Sequence, residues 1–133
     1  MKKFATLVVA GTMVFAACSS GGEDSGGDVN DVVKTCAPTD GALALIAKDI
    51  KFDKDCLAVK AETAFTIELQ NGDSDQHNVS IFTSKGGSSL FKGTEFADGG
   101  KTVTYEVGAL DAGSYYFHCD IHPEMNGTFV VAA

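Results

Sequence analysis

Apolar residues in this chain recur with a period of two, and nowhere over a long stretch with the period of a helix. Phe65, Ile67 and Leu69 alternate with polar neighbours, and Thr102–Val107 alternates again. Tyr115, Phe117 and Cys119 would share one face of an extended segment, with Tyr116 and His118 on the other. His77, Val79 and Ile81 would likewise share a face, opposite Asn78, Ser80 and Phe82. This is the pattern of half-buried strands, and it commits the chain to packing one face of a sheet against something else. Leu43–Ala47 and Ile50–Phe52 read as strand with an irregularity at Lys48-Asp49, while Cys56–Lys60 and Gly127–Val131 supply further short strands. Asn71–Asp75 and Asp111-Ala112-Gly113 are turns. The span 83–100 is rich in glycine and serine and is expected to be a long connection with one short helix or edge strand, anchored by Leu90, Phe91 and Phe96. The sum is an all-β sandwich of about seven or eight strands.

The chemistry collects near the end of the chain. The run Gly113-Ser114-Tyr115-Tyr116-Phe117-His118-Cys119-Asp120-Ile121-His122-Pro123-Glu124-Met125 delivers a cysteine, a histidine three residues later and a methionine three residues after that. His77 stands at the head of an upstream strand. A thiolate, two imidazoles and a thioether form the donor set of a blue-copper electron-transfer site. Three of the donors come from one turn and the fourth from a distant strand, so a rigid fold must set the geometry. His118 is a decoy: it neighbours Cys119, and adjacent strand residues point to opposite faces.

The motif Cys-x-x-His-Pro-x-Met after an aromatic strand resembles the cupredoxins, and among them the amicyanins, whose loop has this short histidine-to-methionine spacing. The resemblance covers roughly residues 41–133 and is most specific over 113–131. It implies a Greek-key sandwich holding one type 1 copper ion on His77, Cys119, His122 and Met125. It implies that Asn78 joins the two ligand loops through its side chain and that its backbone N–H lies near the sulfur. It also implies that His122 is the exposed ligand that passes the electron, with Ile121, Pro123 and Met125 as an apolar rim. Ile121 departs from the family, where many members carry proline before the histidine.

Other chemistries fit less well. Zinc prefers four sulfur, nitrogen or carboxylate donors, and a thioether is a poor fourth. A binuclear copper centre needs a second cysteine in the loop, which Asp120–Asn126 does not contain. Haem attachment needs a Cys-x-x-Cys-His motif, and three histidines are too few for a multicopper oxidase. Cys119 and His122 on one short loop suit joint ligation better than nucleophile and base. Asp73 and Asp75 lie near His77 but have ordinary turn composition. The chain is therefore not expected to be an enzyme.

The N-terminus places the domain. Met1-Lys2-Lys3 followed by an apolar stretch to Ala17 describes an export signal over residues 1–17. Phe15-Ala16-Ala17-Cys18 resembles a bacterial lipobox, which would make Cys18 a lipidated terminus, with Phe15 where leucine is more usual. Two or more acyl chains would anchor the protein stably to a membrane. The Gly/Ser/acidic stretch that follows makes residues 18–35 a flexible tether, leaving 36–133 as one small copper-binding domain. Of the four cysteines, Cys18 is assigned to lipid and Cys119 to metal. Cys36 and Cys56 remain, and an exported chain favours their disulfide over two unpaired thiols. Such a bond would pin the N-terminal segment to the second core strand.

The formal charge is −8, and loss of Lys2 and Lys3 with the signal brings it to −10; there is no arginine. Such a chain repels nucleic acid and anionic lipid, and favours a basic surface on a partner. The expected protein is a monomeric, membrane-tethered, extracytoplasmic carrier of single electrons between redox proteins. The alternative is a copper carrier or sensor of the cell envelope, which would call for open histidine- or methionine-rich motifs. Met1, Met13 and Met125 offer none.

Overall fold

The structure, a computed structural model, describes residues 36–133. The export segment 1–17, Cys18 and the tether 18–35 lie outside the described residues. Eight strands form within them: β1 (Ala42–Ala47), β2 (Cys56–Lys60), β3 (Phe65–Asn71), β4 (Ser80–Phe82), β5 (Ser89–Lys92), β6 (Thr102–Val107), β7 (Gly113–His118) and β8 (Asn126–Ala132). There is no helix among the described residues, and accordingly none long and apolar enough to cross a membrane.

Two sheets form, a three-stranded one in the order β1-β3-β6 and a five-stranded one in the order β2-β8-β7-β4-β5. Alternation decides which residues face inward. β1 and β6 are each exposed and buried at every second residue, and Phe65, Ile67 and Leu69 of β3 are buried. These meet Leu57, Val59, Ile81, Phe117, Phe129 and Val131 of the larger sheet in one core. Phe65 stacks on Phe129 across the gap at 5.3 Å between ring centres, a contact favourable beyond the area it buries. The all-β sandwich expected from the pattern is the fold observed.

Two details differ from the sequence reading. Ile50 is not a strand residue. Lys48 and Lys51 exchange backbone hydrogen bonds around Asp49 and Ile50, which have φ of 55° and 53°. Positive φ at both central residues is the signature of a type I′ hairpin turn, whose twist matches that of the flanking strands. It folds Phe52 back to bridge Ala47. Within the 83–100 connection, β5 is the edge strand, and Phe91 packs against the core while Leu90 is exposed. β2, at the edge of the five-stranded sheet, buries Leu57, Ala58 and Val59 and is the core strand expected. The disulfide between Cys36 and Cys56 ties the incoming segment to it, and Thr39 donates its backbone N–H to the Ala58 carbonyl.

The registers bring several strand ends together. Ala47 of β1 lies beside Asn71 at the end of β3, and Ser80, His118 and Asn126 are neighbours across β4, β7 and β8. The loops at this end carry the chemistry-bearing residues.

Candidate metal centre

Cys119 leaves the end of β7 fully buried and unpaired with any other cysteine. Its Sγ lies 3.9 Å from His77 Nδ1 and 3.9 Å from His122 Nδ1. The three donor atoms lie within 4.8 Å of one another. Bonds of about 2.0 Å to imidazole nitrogen and about 2.3 Å to thiolate sulfur would place such atoms roughly 3.7 Å apart around a trigonal ion. The donor triangle is therefore the size of a first-row metal site.

Each donor is held by local structure. His122 begins a turn in which Met125 N–H donates to the His122 carbonyl at 2.9 Å, with Pro123 at the position where its fixed φ suits a turn. Cys119 N–H donates to the Met125 carbonyl at 3.0 Å, and Asn126 Nδ2 donates to the carbonyls of Pro123 and Glu124. Within this short closed loop Met125 is buried, at 1% exposure. Met125 therefore contributes nothing to the outer rim, which in this loop consists of the exposed Ile121 and Pro123 around a half-buried His122. The rings of His77 and His122 sit 4.9 Å apart. His118 points away, as alternation requires, packing on Phe82 at 4.5 Å and facing the Asp120 carboxylate.

A sequence profile described as a cupredoxin-like domain matches residues 7–131, nearly the whole chain. The chain belongs to the cupredoxin-like family. Among solved structures, this cupredoxin is similar to amicyanin from Paracoccus versutus (27% identity, 71% of this chain and 84% of that one, TM-score 0.52). It has the fold of auracyanin from Roseiflexus castenholzii (19% identity, 73% and 100%, TM-score 0.61). It also has the fold of auracyanin A from Chloroflexus aurantiacus (23% identity, 71% and 99%, TM-score 0.56). Among curated proteins, none gives a significant match.

Two carboxylates that motif reading passed over surround the cupredoxin donors. Asp73 Oδ2 faces His77 Nε2 at 3.0 Å. A carboxylate opposite one ring nitrogen requires the proton there, which leaves Nδ1 free to ligate and fixes the ring's rotation. The same carboxylate accepts the backbone N–H groups of Asp49 and Ile50, so the left-handed turn and the ligand share one anchor. The Ile50 N–H, together with the Asp49 N–H and His77, lowers the Asp73 pKa below the usual carboxylate range against the opposing effect of burial. Asn71, itself buried, completes the loop: Nδ2 donates to the carbonyls of Asp75 and Ala97, and Oδ1 accepts the Asp73 N–H.

The second carboxylate is Asp120. Its N–H donates to Asn78 Oδ1 at 2.8 Å, and Asn78 Nδ2 donates back to Asp120 Oδ2 at 2.8 Å and to the Gly93 carbonyl at 2.7 Å. The Asn78 side chain thus joins the two ligand loops. A short polar residue directly after the cysteine was the available signal for Asp120. Asp73 had only the helix-like spacing of four residues from His77, without a helix to give it meaning.

Proposed function

We propose that this protein is a type 1 copper protein that carries single electrons between redox partners outside the cytoplasm, held at a membrane by lipid on Cys18. The observation that carries the reading is the convergence of one buried thiol and two imidazole Nδ1 atoms at 3.9 Å. Copper bound there would supply a one-electron couple whose two states both accept a trigonal thiolate–imidazole set. The chain's part is to hold that set still. Asp73 keeps the His77 ring in place, the Met125–His122 turn keeps the loop short, and burial of Cys119, His77 and Met125 excludes water. His122 alone among the three clustered donors is partly open to solvent, and makes the contact through which an electron would leave.

A solved mutant of amicyanin, 25% identical to this chain, is a Cu(I) form, and auracyanin A is a "blue" copper protein, which supports copper over zinc. The export signal and lipobox support the location, and the −10 charge after removal of the signal, two below the full-chain −8, supports a partner with a basic docking surface. The deciding measurement is the visible spectrum of the protein with stoichiometric Cu(II), before and after ascorbate. An intense blue band that bleaches and returns on reoxidation is expected. Tight, colourless copper binding would favour the copper-carrier alternative, and absence of uptake would remove both readings.

A further inference from the structure

Asp120 directly follows the thiolate residue, yet it is not among the clustered donors. Its side chain is only 19% exposed, and its two oxygens are held from three directions. Oδ2 accepts from Asn78 Nδ2 at 2.8 Å and from Ser80 Oγ at 3.0 Å, and Oδ1 faces His118 Nε2 at 3.2 Å. Asn78 and Ser80 are completely buried. The Ser80 hydroxyl also accepts the Gly93 N–H at 3.3 Å, and Asn78 reaches the Gly93 carbonyl. One carboxylate therefore gathers β4, the segment after β5 and the start of the ligand loop. A neutral residue could fill the space, but an uncharged amide or hydroxyl could not accept from three donors as strongly.

We propose that Asp120 is a positioning residue for Cys119, and that its carboxylate biases the site toward the oxidised state. The proposal rests on the copper reading for its redox half and on the hydrogen-bond geometry for its positioning half. A divalent ion with one thiolate carries one more positive charge than a monovalent ion with the same thiolate. A carboxylate one residue away lowers the energy of the more positive state more, and because it is largely withdrawn from solvent, salt screens it weakly. The Asn78–Asp120 pair fixes where that charge sits relative to the sulfur.

The test compares the full-length copper-loaded wild type with Asp120→Asn, Asp120→Glu and Ser80→Ala. Asp120→Asn should keep the thiolate-to-copper band but shift the Cu(II)/Cu(I) equilibrium about tenfold toward the reduced form, 59 mV for a one-electron couple. Ser80→Ala, which keeps the charge and loosens its seat, should shift it in the same direction by less. Asp120→Glu should stay nearer the wild type than Asp120→Asn does. An unchanged potential in Asp120→Asn, or an equal shift in the asparagine and glutamate variants, would overturn the role of charge. The positioning half is read without copper, from amide exchange of residue 120 in the metal-free protein. Slow exchange in the wild type that accelerates in Ser80→Ala supports the lock, and equal exchange in both overturns it. A wild type that takes up no copper would instead defeat the parent reading while the exchange result stands.

Discussion

Asp73 shows how much one turn residue can carry. Its carboxylate satisfies two backbone N–H groups in a left-handed turn and the far nitrogen of a buried histidine. Left-handed backbone at Ile50 is unfavourable for a β-branched side chain, so these hydrogen bonds offset local strain as well as orient a ligand. Asp73→Ala should weaken copper binding by about 10- to 100-fold, the usual effect of losing an outer partner of a metal-bound histidine. Competition against a chelator of known affinity measures it. An unchanged affinity would mean that the fold alone orients His77. The residue could not be singled out beforehand, because Asn-Gly-Asp-Ser-Asp is what any polar turn looks like. His118 went the other way: alternation alone separates it from the cluster, and its side chain turns to Phe82 and Asp120.

At the level of elements, the ligand loop depends on the place where β7 and β8 diverge. Gly127 pairs with Phe117 at that point, and a Cβ added to it would lie 2.5 Å from the Asp55 carbonyl oxygen and 2.6 Å from the Phe117 ring. The Asp55 carbonyl is backbone, engaged by Thr128 N–H at 2.9 Å, and the ring is locked in the core, so neither yields easily. Gly127→Ala should cost about 1–3 kcal/mol, as overpacking of a well-filled site does. Urea unfolding should show a lower midpoint with an unchanged slope. A midpoint equal to the wild type would show that β8 shifts freely at its start, and the short loop would then owe its shape to its own hydrogen bonds.

At the scale of the whole molecule, the fold brings the candidate ligands His77 and Cys119, 42 residues apart, to one end of a sandwich, and the Cys36–Cys56 disulfide ties down the start of the described residues. Cys36 and Cys56 are 20 residues apart, so the bond constrains the unfolded chain by about 3 kcal/mol in the chain-entropy model. It joins the entering segment to edge strand β2. Replacing both cysteines with serine should lower the melting temperature by about 12–24 °C for a domain of this size, with the blue band preserved at low temperature. Loss of the band in folded protein would show instead that the bond shapes the site. By itself the sequence determined most of the strands, the two-layer architecture and the loop spacing, and it offered the candidate donors, because period two and a Cys-x-x-His-x-x-Met run are local properties of a chain. Tertiary structure alone decided that Asp73 would reach His77, that Asp120 would meet Asn78 and Ser80, and that Met125 would be buried rather than form a rim. Those contacts depend on strand register and on where turns aim polar side chains, and register is settled only when the two apolar faces close on each other.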